Sequence, residues 1–450
     1  MSQQPNVIFF FSDQQRWDTV GAYGGPLGVT PNLDRMAAEG VRFHNAFTCQ
    51  PVCGPARATL QTGKYPTQVG VHTNHRRLSR RHKPLAGYLS EAGYEVGYIG
   101  KWHLASCGPT GGRDDYRERP VPPELRGGYK DFWLASDVLE FTSHSYDGHM
   151  YDADGNRREF PEGRYRVDAQ TDWAVDYLRT RTGERPFFLF LSYIEPHHQN
   201  DHHHFEGPHG SKERFASFAA PGDLVDLDGD WQQELPDYLG CCAALDGALG
   251  RLRDELEQLG LLDNTLILYT SDHGCHFRTR NAEYKRACHD GCLRVPMVAM
   301  GPGFRGGAVI DRLVSLIDLP PTILAAAGVE RPRAMRGRPV QGLVDGTARR
   351  WPREVFAQIS ESHCGRCIRT KRWKYSVRAP DKTGQDPGSD VYVEEFLYDL
   401  EADGDERDNL VRDPAYATVR KKLRATLKRH MLRAGEKEPE IRDAGVTEAD

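Results

Sequence analysis

Asn6-Val7-Ile8-Phe9-Phe10-Phe11-Ser12-Asp13-Gln14-Gln15 is an unbroken apolar run that ends in four polar side chains. A strand with no apolar/polar alternation has both faces covered, so this run is an interior strand that delivers Ser12 to Gln15 at its carboxyl end. The same design recurs. Tyr94 to Ile99 runs into Gly100-Lys101-Trp102-His103, Phe187 to Leu191 leads to Glu195-Pro196-His197, and Thr265 to Tyr269 ends at Ser271-Asp272-His273-Gly274. Helical patterns lie between these strands. Thr30 as N-cap, Pro31 at the first position and Gly40 as stop frame one helix. Leu245, Leu249, Leu252, Leu256 and Leu259 mark the apolar face of another, closed by Gly260. Alternating strands and helices predict an α/β fold, a large mixed and mostly parallel sheet flanked by helices, with ligands gathered at the carboxyl ends of the strands.

The texture changes near residue 345. Cys367 to Val377 and Glu394 to Leu400 predict antiparallel strands, followed by a basic helix near Ala415 to Leu432. The expected organisation is therefore a catalytic α/β domain over 1–345, a smaller C-terminal α+β subdomain on a short antiparallel sheet over 346–435, and a frayed charged tail over 436–450.

Composition narrows the function classes. The 450 residues carry 59 Lys+Arg against 64 Asp+Glu, a formal net charge of −5 with no single-sign block, which disfavours a nucleic-acid partner. No apolar run approaches the roughly 20 residues of a membrane span. Neither a basic n-region nor a small-residue cleavage site precedes the first strand, so a cytoplasmic location without membrane contact is expected. The ten Cys at irregular spacings fit free thiols.

Cys53-Gly54-Pro55-Ala56-Arg57 followed by Thr62-Gly63 is the most specific segment. It resembles the signature of the sulfatase family of the alkaline-phosphatase superfamily. Further blocks follow in that family's order: Thr30 to Asp34, Gly100 to Leu104, Glu195 to His197, Ser271 to Gly274, Arg294 to Pro296, Leu397 to Leu400 and Asp408 to Leu410. The resemblance implies conversion of Cys53 to formylglycine by a formylglycine-generating enzyme. It implies metal-dependent hydrolysis of a sulfate monoester, of a sugar or small organic molecule, through the formylglycine hydrate and a covalent sulfate hemiacetal.

By the same resemblance one divalent metal is held by Asp13, Gln14, Asp272 and His273 together with modified Cys53. Arg57 orients the hydrate, Lys101 and Lys285 bind sulfate oxygens, His103 deprotonates the hemiacetal and His197 protonates the leaving oxygen. Lys285 sits in a segment with the family's spacing but an unusual middle, where Arg286 could share its role. Ca²⁺ is the expected ion. Two carboxylates instead of the family's commoner three, with an imidazole among the donors, keep Mn²⁺ as the alternative. The Asp13-Gln14 and Asp272-His273 pairs are also similar to those of phosphonate monoester hydrolases and choline sulfatases, so hydrolysis of a phosphonate monoester or phosphodiester is the second reading. A non-catalytic binding protein with unmodified Cys53 is the third.

His72, Asn74, His75, Arg76 and His198 are the candidate substrate contacts. The histidines at 198, 202, 203, 204 and 209 read as a polar rim with at most one substrate contact, in preference to a second metal site. Cys364-Gly-Arg-Cys367 has no second cysteine pair at zinc spacing, so it reads as two buried thiols side by side. The oligomeric state and the identity of the sulfated substrate are not encoded in any motif.

Overall fold

The aromatic run that opens the chain becomes β1 (Asn6–Asp13), buried at every position and central in an eleven-stranded sheet. The structure, a computed structural model, describes residues 4–26, 28–181 and 183–445. The other strands of this sheet are β2 (Val41–Phe47), β3 (Glu95–Lys101), β4 (Phe132–Ser136), β5 (His149–Asp152), β6 (Arg157–Glu159), β7 (Phe187–Pro196), β8 (Thr265–Ser271), β9 (Arg294–Val295), β10 (Met297–Met300) and β11 (Ala308–Ser315). They run in the order β11-β2-β10-β8-β1-β7-β3-β4-β5-β6, with β9 on β2.

The four strands expected to end in ionisable residues, β8, β1, β7 and β3, are consecutive parallel neighbours. Their register pairs Ser12 with Ser271, Asp13 with Pro196, and Gly100 with Ser192, so their carboxyl ends are level. Alternate residues of β1 feed two cores. Val7, Phe9 and Phe11 join Phe188 and Phe190 on one face; Ile8 and Phe10 join Leu189 and Leu191 on the other. Each fully buried Phe contributes about 1.5–3 kcal/mol, which fixes the strand that carries Asp13.

The first predicted helix spans Pro31–Glu39 and buries Leu33, Met36 and Ala37. Thr30 does not cap it: the Thr30 hydroxyl accepts from the Gly21 N–H at 3.0 Å. Asp246 instead takes the first N–H groups, from Asn32 at 3.0 Å and Leu33 at 2.8 Å, so a distant carboxylate does the work of a local cap. Asp246 belongs to the helix predicted from the leucine spacing. That helix is longer than expected, Trp231–Gln258, with Pro236 close to its start.

The C-terminal sheet has five strands: β12 (Glu354–Ile359), β13 (Gly365–Thr370), β14 (Trp373–Arg378), β15 (Val391–Asp399) and β16 (Glu440–Arg442). The run expected as one strand from Cys367 is a hairpin turning at Lys371-Arg372. The two cysteines of the CxxC are not side by side. Cys364 packs with Tyr375 and Tyr392, while Cys367 packs with Phe47 and Cys288, because residues three apart near a strand point to opposite faces. Within the segment expected to fray, Glu440–Arg442 pairs in parallel with β15, anchored by buried Ile441; one apolar side chain among charges gave no period to read. Residues 446–450 of that tail lie outside the described residues. Among the described residues, no helix is long and apolar enough to cross a membrane.

Candidate active site

Cys53 opens a ten-residue helix, Cys53–Thr62, that is buried throughout and ends at Gly63 in the left-handed conformation. The helix aims the Cys53 thiol at the ends of β1 and β8. Its sulfur lies 3.3 Å from Asp13 Oδ1 and 3.3 Å from His273 Nε2, and Lys285 Nζ donates to it at 2.9 Å.

Asp13 divides its two oxygens. Oδ2 accepts from Arg57 Nη2 at 3.0 Å and pairs with Lys101 Nζ at 3.0 Å; Oδ1 is left for the space beside Cys53. Arg57 also donates through Nη1 to the Lys101 carbonyl and to Ser192 Oγ, both at 2.7 Å. The guanidinium therefore ties the ends of β1, β3 and β7 into one frame.

Asp13, Cys53, Asp272 and His273 offer ligand atoms that all lie within 4.8 Å of one another, and all four are buried. His273 Nδ1 donates to the Gly274 carbonyl at 2.9 Å. That bond fixes the tautomer whose Nε2 lone pair faces Cys53 and Asp13. Gln14 has a left-handed backbone (φ +73°), and its N–H donates to Asp272 Oδ1 at 2.9 Å. Asp272 Oδ2 and Gln14 Oε1 are buried without a hydrogen-bond partner among the described residues. Asp272 Oδ2 lies 3.5 Å from His273 Nε2, and an orphaned carboxylate oxygen beside an oriented imidazole is what a divalent cation satisfies, so Asp13, Cys53, Asp272 and His273 fit one.

Electrostatics point the same way. Burial alone would raise the Asp13 carboxyl, but the charges of Lys101, Arg57 and Lys285 hold it well below the usual carboxylate range. Asp272 is pushed up to about 7 by burial and by the charge of Asp13. Two buried carboxylates this close need a cation between them to stay ionised together. Burial, reinforced by Asp13, pushes the Cys53 thiol up to about 12, so the unmodified side chain is a protonated thiol and a poor nucleophile. His197 and His103 are both held neutral, chiefly by burial, with Lys285 and Lys101 respectively adding repulsion.

His197 Nδ1 donates to the His198 carbonyl at 2.6 Å, which leaves Nε2 to accept from Lys285 Nζ at 3.0 Å. Lys285 thus spans Cys53 and His197. His103 has both ring nitrogens buried and without a hydrogen-bond partner among the described residues; its ring centroid lies 6.0 Å from that of His75.

The candidate substrate contacts separate. His75 and Arg76 are exposed. His72 is buried and donates to the Gln385 carbonyl at 3.1 Å. Asn74 braces the nucleophile helix: its Oδ1 accepts from the Gly54 N–H at 2.9 Å, while its own N–H donates to Glu361 Oε1 at 2.6 Å. His198 stacks on His197 and lies against the Tyr284 ring at a tilt of 41°.

Sequence reading missed Glu140, which pairs with Lys101 at 3.1 Å, and Asp137, whose carboxylate takes the N–H groups of Leu104, Ala105 and Ser106. It also missed Glu361, which lies just beyond β12 and reaches Asn74 and Arg286, the latter at 2.6 Å. Gln14, His75, His103, Arg286 and Glu361 are all non-glycine residues with positive φ. Strain concentrated in this way is a mark of a working site.

A thiol at a helix start, framed by cations and carboxylates at the ends of parallel strands, defines an α/β enzyme shaped for an anionic ester. The chain belongs to the sulfatase family, whose model matches residues 5–329, and is a sulfuric ester hydrolase. A second model, the C-terminal region of N-sulphoglucosamine sulphohydrolase, matches residues 282–433.

Among its relatives are the sulfatase YidJ of Escherichia coli, 30% identical over 95% of this chain and 87% of that one, and an ulvan-active sulfatase of Formosa agariphila, 28% identical over 96% and 82%. An N-acetylglucosamine-6-O-sulfatase of Bacteroides thetaiotaomicron is 25% identical over 100% and 90%. In fold, the chain is similar to the crystal structure of a YidJ sulfatase from Bacteroides fragilis, with a TM-score of 0.84, 23% identity and 97% of each chain covered. It is also similar to the phosphonate monoester hydrolase of Agrobacterium radiobacter, with a TM-score of 0.72, 22% identity and 96% of each chain covered.

Proposed function

We propose that the protein hydrolyses the sulfate monoester of a saccharide, with formylglycine made from Cys53 supplying the nucleophile as its hydrated aldehyde. The observation that carries this reading is the meeting of Asp13, His273 and Lys285 on the single atom Cys53 Sγ. Relatives that act on ulvan and on N-acetylglucosamine 6-sulfate support a sugar substrate. Asp13, Gln14, Asp272, His273 and the modified residue 53 would hold a divalent ion, which would supply Lewis acidity to the reaction. Ca²⁺ is the expected ion, with Mn²⁺ the alternative because Gln14 and His273 lower the ligand charge.

The remaining work falls to side chains. Lys101 and Lys285 neutralise sulfate oxygens, and Arg57 fixes the nucleophile's orientation through Asp13. His103, neutral and without a hydrogen-bond partner in the site, is the base that takes the proton from residue 53 when sulfate is expelled. His197 donates to the leaving oxygen through Nε2, the atom that faces Lys285. Because His197 is held neutral, its proton comes through that contact, and the Lys285–His197 pair acts as one acid.

Release of inorganic sulfate should be screened over sugar 6-sulfates, aryl sulfates and choline sulfate, with phosphonate monoesters as controls. Turnover of a sugar sulfate exceeding that of every phosphonate ester supports the reading. A phosphonate or phosphodiester turned over faster than all sulfates would replace it with the second reading, which the His273 and Gln14 donors favour.

A further inference from the structure

Arg286 follows Lys285 in the chain, and its guanidinium is committed to carboxylates. Nη2 pairs with Glu361 Oε2 at 2.6 Å and Nη1 with Glu283 at 3.1 Å. The other Glu361 oxygen accepts from the Asn74 N–H at 2.6 Å, and Asn74 Oδ1 takes the N–H of Gly54, the residue after Cys53, at 2.9 Å. One carboxylate therefore connects the start of the nucleophile helix to the segment that carries Lys285.

Glu361 is itself fixed in place. Its side chain is 8% exposed and its N–H donates to the Gly384 carbonyl at 2.8 Å. A Cβ on Gly384 would sit 2.3 Å from the Glu361 carbonyl oxygen, so the chain packs closely against it. Ser362 Oγ donates to the Arg286 carbonyl at 2.6 Å. Glu361 and Ser362 thus hold Arg286 by both its side chain and its backbone, while His276 Nε2 and Asn281 Nδ2 donate to the Lys285 carbonyl, each at 3.1 Å. Arg286 and Glu361 are both left-handed, at φ +72° and +66°. Non-glycine residues keep that conformation where surrounding contacts impose it.

We propose that Glu361 is a positioning residue for the hydrolysis: through Arg286 it sets the reach of Lys285 to His197, and through Asn74 it sets the direction of residue 53. The inference rests on the reading of the Lys285–His197 pair as the acid. Lys285 Nζ lies 2.9 Å from Cys53 Sγ and 3.0 Å from His197 Nε2, so a displacement of about 1 Å breaks one contact or the other. The two arms differ in what they affect. Loosening Arg286 weakens proton delivery to the leaving oxygen, which matters for a sugar alkoxide and little for a nitrophenolate. Loosening Asn74 misdirects the nucleophile, which slows every substrate.

The test compares kcat on a sugar sulfate with kcat on an activated aryl sulfate, each normalised to the formylglycine content of residue 53 measured by peptide mass. In Glu361→Gln the amide oxygen still accepts from Asn74 while the charge that holds Arg286 is gone, so kcat on the sugar sulfate should fall about tenfold and on the aryl sulfate much less. Arg286→Gln should show the same split, and the double variant should lose no more than either single one, because both cut the same link. Glu361→Ala releases both arms and should slow both substrates, the sugar sulfate more. Thermal melting verifies folding; should Glu361→Gln fail to fold, Arg286→Gln, with its side chain 20% exposed, carries the comparison. Equal losses on both substrates in His197→Ala would overturn the acid assignment and this inference with it. A split in His197→Ala that is absent from folded Glu361→Gln and Arg286→Gln would overturn this inference alone, as would additive losses in the double variant.

Discussion

His197 and Lys285 share one short contact above Cys53, and the chemistry of the leaving group reads out their role. A sugar alkoxide needs a proton far more than a nitrophenolate does. His197→Ala should therefore lower kcat on a sugar sulfate about a hundredfold while changing an activated aryl sulfate much less. Equal losses on both substrates would make His197 a binding residue. The carboxylates give a second outcome at this scale. Chelation should abolish turnover, and Asp272→Ala should lose metal and activity together, checked by metal analysis of the purified variant; activity without bound metal would remove Asp13, Gln14, Asp272 and His273 from their assigned role. Residues at strand ends were legible because an apolar run points at them. Glu140, Asp137 and Glu361 were not, because each lies outside any periodic segment and reaches the site only through contacts 31 or more residues distant in sequence.

At the scale of elements, β3 and β7 meet so closely that one glycine decides whether they pair. Gly100 has φ +111°, and a Cβ there would sit 1.8 Å from the Ser192 carbonyl oxygen. Gly100→Ala should cost about 3 kcal/mol, from backbone strain and a clash that only separation of the strands can relieve. Because Lys101 and Ser192 flank that contact and both bind Arg57, activity should fall with stability. A variant with the parent's melting temperature would show that the two strands are not held at this separation. The four parallel strands were readable since each is an unbroken apolar run of adequate length. Their neighbour β10, four residues long and antiparallel between β8 and β2, was not: its place depends on pairing with distant strands, which leaves no local trace. The capping of the helix Pro31–Glu39 by Asp246 escaped notice for the same reason.

Over the whole molecule, buried histidines set the response to acid. His276 is fully buried, donates through Nε2 to the Lys285 carbonyl at 3.1 Å, and is pushed down to about 4, first by burial. The unfolded chain binds a proton near pH 6.5 that the folded chain refuses until about pH 4. Its contribution is therefore intact above pH 6.5 and is lost as pH falls through that window, by about 3 kcal/mol. Denaturant unfolding from pH 7 to 4 should show this loss, and His276→Gln should reduce it; an unchanged slope would assign the acid sensitivity to other groups. The two sheets are joined through Phe47, Leu293 and Leu313 packed on Val355, Ala357 and Ile359. The sequence marked the change of texture near residue 345 but carried no signal that the smaller sheet would brace Asn74 beside the nucleophile.

The central claim is that Cys53 is the precursor of the nucleophile, and intact mass of the peptide spanning Cys53 tests it most directly. In catalytically active protein that peptide should be about 18 Da lighter than the encoded sequence, the difference between a cysteine and a formylglycine side chain. Cys53→Ala should keep the fold and lose essentially all turnover. Full activity in protein whose peptide carries only unmodified cysteine would contradict the account.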